Sequence, residues 1–145
     1  MSLVSVIVAT YKRDKELKRA LESLSNQSYV NIEIVLVDDN ANHIWNEKVE
    51  KIVNEFTNMN PSININYIVN KENKGSANTR NVGINLAKGD YVTFLDDDDF
   101  YLPDKVKNQV DFMVKGNYDY SVTDLILLNE EGIEIDKRTR QMDYL

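Results

Sequence analysis

Asp96, Asp97, Asp98 and Asp99 stand in a row directly after the apolar run Tyr91-Val-Thr-Phe-Leu95, so dense negative charge sits where a strand should leave the core. Carboxylate oxygens are hard ligands, and such a row repels itself unless neutralised, which points to a hard cation. If strand alternation continues, Asp96 and Asp98 face one way and Asp97 and Asp99 the other, giving two carboxylates at a spacing one cation can share. The bland alternative is an acidic turn in water. Position favours the cation: open α/β sheets bind ligands beyond the carboxyl ends of their strands, and Pro103 with Asp104 opens a helix just behind the row.

Two further segments, Thr10-Tyr11-Lys12-Arg13 and Asp38-Asp39-Asn40, also follow apolar runs, and in a parallel sheet all three strand ends share one rim. A ring from Tyr11, a hydroxyl from Thr10 and a carboxylate from Asp39 suit a nucleoside, whose base has an apolar face and an N–H that an acidic side chain accepts. Taken singly, Tyr11 could pack over the sheet edge and Asp39 could cap a turn. In Asn73-Lys-Gly-Ser-Ala-Asn-Thr-Arg-Asn-Val-Gly83, Gly75 lets the chain turn and Ser76 can start a helix whose amide end faces the same rim. At about 100° per residue, Arg80 falls between Ala77, Ile84 and Ala87, on a face otherwise meant for burial. It therefore needs an anionic partner: an aspartate of the row, a ligand's phosphates, or both.

The elements that must place these residues alternate regularly. Val4 to Ala9 is a largely β-branched run suited to a strand buried on both faces. Leu17, Ala20, Leu21 and Leu24 then recur at helical spacing, with Asp14 as N-cap, which predicts a helix over 14–26. Ile32 to Val37 is the second strand. Val49, Ile52, Val53 and Phe56 mark a second helix, broken by Asn58 to Ser62 with Pro61. Ile63 to Val69 is the third strand, Ser76 to Ala87 the third helix and Tyr91 to Leu95 the fourth strand. Val106, Val110 and Met113 mark a helix that begins at Pro103. This β-α-β-α-β-α-β-α order predicts a parallel sheet with right-handed crossovers. Tyr118 to Leu128 and Ile133 to Ile135 flank Asn129-Glu-Glu-Gly132 as a β-hairpin, and Lys137 to Leu145 is charged and unpatterned.

With 145 residues and a formal net charge of −7, the chain is one domain's worth, and its charge argues against nucleic acid or an anionic membrane surface as the main partner. Having no cysteine, it has no disulfide, thiolate metal site or cysteine nucleophile. No apolar run approaches the roughly 18 residues of a membrane span, and no signal-peptide pattern precedes Val4. These features predict a soluble, cytoplasmic domain. Rival motifs fail: Gly75, Gly83 and Gly89 do not form G-x-G-x-x-G, and no G-x-x-x-x-G-K-[ST] loop exists. An EF-hand counted from Asp96 would need glycine and glutamate where Tyr101 and Lys107 stand. His43, the lone histidine, reads as a surface-loop residue without a ligand set, so zinc is not expected, and Trp45 reads as a packing residue.

Val4-Ser-Val-Ile-Val-Ala-Thr-Tyr-Lys-Arg13, Val37-Asp-Asp-Asn40, Asn73-Lys-Gly75 with Ala77 and Arg80-Asn81, Gly89-Asp-Tyr-Val-Thr-Phe-Leu-Asp-Asp-Asp-Asp99 and Leu102-Pro-Asp104 together resemble the family 2 glycosyltransferases of GT-A fold. The resemblance implies an α/β, Rossmann-like, mostly parallel sheet flanked by helices, here followed by the C-terminal hairpin. It implies a nucleotide-sugar donor, UDP-, dTDP- or GDP-linked, with Mn²⁺ or Mg²⁺. By motif position, Thr10, Tyr11 and Arg13 line the nucleoside pocket with Gly75 nearby, and Asp39 contacts the base. Asp98 binds the metal, Asp96 and Asp97 lie by the ribose and metal with Asp96 a second ligand, and Arg80 holds that loop. Asp38-Asp39-Asn40 departs from the family's commoner Asp-Asp-Gly/Ser.

Such enzymes typically invert the anomeric carbon, using a carboxylate of the acceptor half as base. Asp119, Asp124 and Asp143 match no such context, so residues 1–145 are expected to be a single nucleotide-sugar-binding domain, cut before the acceptor-side segment and inactive alone. The implied activity is transfer of a sugar to a saccharide or lipid-linked acceptor in cell-surface polysaccharide biosynthesis, at most peripheral to the inner face of the membrane. Two alternatives stand beside it. A sugar-phosphate nucleotidyltransferase would want a glycine-rich basic loop that Thr10 to Arg13 lacks, and a non-catalytic module would use the same pocket without turnover.

Overall fold

The computed structural model describes residues 1–139. Val4–Thr10 (β1) and Ile32–Asp38 (β2), buried almost throughout, are the inner strands, with Asn64–Val69 (β3) and Tyr91–Asp96 (β4) as edges. All pair in parallel, in the order β3-β2-β1-β4. Burial on both faces explains the unbroken apolar pattern of the inner strands. Lys15–Ser25 (α1), His43–Met59 (α2) and Gly75–Leu86 (α3) make the returns. The chain steps outward from β1 to β3 and then crosses back to add β4 on the far side of β1. With right-handed crossovers, that reversal puts α1 and α2 on one face and α3 on the other. In keeping with this, α1 meets α2, while α3 packs on β1 and β2.

On the α3 face, Ile7, Val35 and Val37 form a buried cluster joined by Ile68 and Val82. α3 reaches it through Thr79, Val82 and Gly83, not through the face expected from the sequence: Ala77 and Ile84 are exposed. The reason is a close approach. A Cβ at Gly83 would lie 2.4 Å from Ile7 Cγ2, so the helix comes closest where it has no side chain, and a count of apolar side chains passes over that position. Gly89 is similarly confined, since its Cβ would lie 2.6 Å from the Ser5 nitrogen. Below it, buried Glu33 accepts hydrogen bonds from Ser5 Oγ and, at 2.7 Å, from the Lys88 N–H. This pins the turn between α3 and β4 to the sheet's amino end.

Local signals place the helix starts. The Asp14 side chain accepts from the Lys15 N–H at 2.8 Å, and Asn42 caps α2 by accepting from the Trp45 N–H at 3.2 Å. His43 therefore begins a helix rather than sitting in a loop; it is exposed and faces Glu47 at 3.4 Å. Pro103 and Asp104 precede the fourth helix, Lys105–Gly116 (α4), instead of opening it. There the Pro103 carbonyl accepts from the Ser28 N–H at 2.9 Å, and Asp104 Oδ1 from Ser28 Oγ at 2.6 Å.

The chain divides into two units, Met1–Lys105 and the segment from Val106 onward. In the second, Val106, Val110 and Met113 share one face of α4, and the rings of Phe112 and Tyr118 stack 4.9 Å apart. Leu125–Leu128 (β5) and Glu134–Arg138 (β6) form the antiparallel hairpin. Its first strand is shorter than the apolar run suggested. Its second starts after Ile133, because Asn129 Oδ1 accepts from the N–H groups of Glu131 and Ile133 and draws both into the turn with Gly132 at φ +79°. Lys137 and Arg138, expected to be unpatterned, complete β6.

Candidate functional site

The strand register sets Thr10 beside Asp38, Asp38 beside Val69 and Ala9 beside Asp96, so the carboxyl ends of all four strands form one rim. The chain order reverses between β1 and β4, and at such a point neighbouring loops leave in opposite directions and open a crevice. The two loops that flank it are Thr10 to Arg13 and Asp96 to Asp99.

The aspartate row does not keep the alternation of a strand. β4 ends at Asp96, and a turn closed by the Asp99 N–H on the Asp96 carbonyl, at 3.0 Å, follows. Three carboxylates, those of Asp96, Asp98 and Asp99, consequently come within 4.8 Å of one another at the surface, while Asp97 turns inward. Asp99, set aside by strand parity, belongs with the other two. Its pKa is raised above the ordinary carboxylate value by burial and then by the charges of Asp98 and Asp96.

Asp97, only 8% exposed, ties the two loops together. Its Oδ2 accepts from Thr10 Oγ1 at 2.9 Å and from the Tyr11 N–H at 3.1 Å, and Arg13 Nε lies 3.3 Å from Oδ1. Burial pushes its pKa up, and the lowering by Thr10, Tyr11 and Arg13 does not fully offset this. Arginines compensate the remaining charge. Arg13 Nη1 meets Asp98 Oδ2 at 2.7 Å, Arg80 pairs with Asp96 Oδ1, and Arg19 Nη2 donates to the Asp98 carbonyl at 2.9 Å. Arg80 is half-exposed rather than buried, so its ion pair lies within reach of solvent and of a ligand.

Asp38 and Asp39 divide their work by strand parity. Asp38, fully buried, accepts from the backbone and side-chain N–H groups of Asn40, from Asn46 Nδ2 and from the Tyr67 hydroxyl, all at 2.7–2.9 Å. Burial and this carboxylate push the Tyr67 pKa up. Asp39 faces α3. Its Oδ1 accepts from Asn70 Nδ2 and the Lys74 N–H, both at 2.8 Å, and its Oδ2 from the Gly75 N–H at 2.9 Å. It is thus the N-terminal cap that α3 lacks locally, since Lys74 makes no side-chain cap bond. Burial raises its pKa, but the bonds from Lys74, Asn70, Thr79 and Gly75 together outweigh burial and leave it below the usual value.

Gly75 holds φ +75°, as the expected turn requires. Tyr11 is 45% exposed on the rim, with Lys12 Nζ 5.1 Å from its ring centroid. Asn40 Oδ1 accepts from the Lys12 N–H at 2.7 Å. Asn70, Thr79 and Arg19 carried no sequence signal of their own, since isolated polar residues have no period, and Asn40 stood in a named segment without any sign of its bond to Lys12. An open polar groove of about 630 Å³, lined in part by Lys74, Asn78 and Asn85, runs along α3 and contains none of the aspartates. Of the acidic residues considered as a base, Asp119 and Asp124 lie in the second unit, and Asp143 lies outside the described residues.

The family model "Glycosyl transferase family 2" matches residues 5–144. An uncharacterized glycosyltransferase of Haemophilus influenzae is 33% identical over 147 residues, covering 100% of this chain and 56% of the relative. The UDP-Glc:alpha-D-GlcNAc-diphosphoundecaprenol beta-1,3-glucosyltransferase WfaP of Escherichia coli is 37% identical over 112 residues, covering 77% of this chain and 37% of the relative. The crystal structure of S. aureus TarS 1-349 in complex with UDP superposes with a TM-score of 0.69 at 28% identity, covering 79% of this chain and 33% of that one. The chain therefore spans about half, or less, of the length of these proteins.

Proposed function

The chain belongs to glycosyl transferase family 2, and from that premise we propose that Met1–Lys105 forms the donor-binding part of an enzyme that transfers a sugar from a nucleoside-diphosphate sugar to a saccharide or lipid-linked acceptor. One observation carries the reading: the carboxylates of Asp96, Asp98 and Asp99 converge within 4.8 Å beside the Thr10–Tyr11 loop, with Arg13 and Arg80 on their flanks. Hard oxygen donors gathered in this way fit Mn²⁺ or Mg²⁺. Held there, such a cation would supply positive charge to the donor's phosphates and to the departing nucleoside diphosphate. We assign Asp96, Asp98 and Asp99 as its ligands.

The remaining residues orient the donor. Thr10, Tyr11 and Arg13 line the nucleoside side of the crevice, with the Tyr11 ring presented as an apolar face. Asp39 contacts the base, and the Lys74–Gly75 turn closes that end. Asp97 sets the spacing of the two loops rather than binding metal, because Thr10, Tyr11 and Arg13 already occupy its oxygens. Arg13 and Arg80 can exchange their aspartate partners for phosphate oxygens when a cation takes over the carboxylates. Inversion at the anomeric carbon is part of the proposal, with no residue assigned as the base. No helix among the described residues is long and apolar enough to cross a membrane. We place the activity in cell-surface polysaccharide synthesis on the cytoplasmic side, since WfaP, by its name, acts on a lipid diphosphate.

Calorimetric titration of UDP, dTDP and GDP with and without Mn²⁺ tests this on the chain and on Asp98→Ala. The expected result is metal-dependent binding of one nucleotide, weakened about ten-fold or more in the variant. Binding that ignores both Mn²⁺ and the substitution would overturn the assignment of the aspartates.

A further inference from the structure

Asn40 is 5% exposed and stands between two networks. Its backbone and side-chain N–H groups both donate to Asp38 Oδ1, at 2.9 and 2.7 Å, so the amide nitrogen is committed to Asp38. The opposite end of the amide, Oδ1, accepts from the Lys12 N–H at 2.7 Å. Lys12 has φ +52°, the left-handed region that costs a side-chain-bearing residue energy unless the surroundings hold it there. Asp97 holds the other side of the same loop through Thr10 and the Tyr11 N–H. Tyr11 therefore lies between two side-chain clamps, one from β4 and one from the β2 end.

Asp38 is in turn fixed by Asn46 of α2 and Tyr67 of β3. A rigid path thus runs from the packed face of the sheet through Asp38 and Asn40 to the backbone that presents the Tyr11 ring. We propose that Asn40 is a positioning residue of the donor pocket: it does not touch the nucleoside but sets the pose of Tyr11 by holding Lys12 in the left-handed conformation. The inference rests on the donor-site reading above. Loss of Asn40 frees Lys12 to return to negative φ, which swings Tyr11 away from the pose that faces the base.

The test combines a double-mutant cycle with amide hydrogen exchange, using Asn40→Ala, Lys12→Gly and the pair, with UDP, dTDP and GDP plus Mn²⁺ as probes. Asn40→Ala should lose protection at the Lys12 amide and bind its nucleotide about ten-fold more weakly, with the Lys74 and Gly75 amides still protected. Glycine holds positive φ without a clamp, so in the Lys12→Gly background Asn40→Ala should weaken binding by less than about two-fold; the cycle cancels the loss of the Lys12 ammonium near Tyr11. Equal weakening in both backgrounds, or loss of protection throughout α3, would overturn the proposal by showing a general structural role. If the unmutated chain binds none of the three nucleotides, the donor-site reading fails instead, and Lys12 exchange alone decides whether Asn40 clamps the loop.

Discussion

Replacing Asp39 by asparagine changes the shape of one buried side chain hardly at all, yet it should cost about 3 kcal/mol at neutral pH. In the folded chain the carboxylate takes three N–H donors at 2.8–2.9 Å, two on Oδ1 and one on Oδ2. An asparagine keeps its oxygen where two donors meet and turns its NH₂ toward the Gly75 N–H. The two retained bonds lose their charge assistance, about 1 kcal/mol each, and the Gly75 bond is lost outright, about another 1 kcal/mol because exposed Gly75 can find water. In urea, with a slope of about 1.5 kcal/mol per molar, the midpoint should fall by about 2 M. The sign of the pH dependence follows from the pKa, which folding lowers. A depressed carboxyl stabilises the fold above its unfolded value of about 3.9 and loses that contribution as pH falls through the folded value. The gap between the unmutated chain and Asp39→Asn should therefore be widest near pH 7 and narrow below about pH 4. A difference under about 1 kcal/mol at pH 7, or one that does not change with pH, would refute the account of Asp39 as the charged cap of α3.

Asp97→Asn should show the opposite slope. Burial raises the Asp97 pKa, so the folded state binds that proton more tightly and the unmutated chain gains stability as pH falls from the folded value toward the unfolded one; the variant lacks that gain, and its deficit in urea melts should grow on acidification. Gly83→Ala should destabilise by about 1–2 kcal/mol despite alanine's better helix propensity, because its Cβ would lie 2.4 Å from Ile7 Cγ2. Ile7→Ala should be less costly in that background than alone, and additive costs would show that α3 has shifted instead.

The strand ends were legible because β1 and β2 are buried on both faces, which leaves an unbroken apolar run that stops where the chain meets water. Helix positions were legible for the complementary reason: Leu17, Leu21 and Leu24, or Val49, Ile52 and Phe56, bury one stripe only. The face of α3 was not, since its closest contact is made by Gly83, a residue that a hydrophobic pattern does not count. At the site, residue types were readable but not their partners. Strand parity continued through Asp99 pairs it with Asp97, but the backbone turns after Asp96 and brings Asp99 to Asp96 and Asp98 instead. Asn70 and Thr79 stay silent in the sequence because they act on Asp39, brought near only by the fold, and the segment that contains Asn40 does not show its bond to Lys12.

The bond from Thr10 to Asp97 joins residues 87 apart, and this bears on synthesis at the ribosome. Once Val69 has emerged, β1, β2 and β3 can pair, and three of the rim's four strand ends exist. One side of β1 then still lacks its neighbour, since β4 arrives last and from the opposite direction. Until it docks, the backbone groups along that side of β1 are open to any passing strand, and the Thr10–Arg13 loop lacks its Asp97 tether. Closure of the cleft is thus a late event of biogenesis, and a pause in translation before residue 97 would leave the nascent chain at its most adhesive.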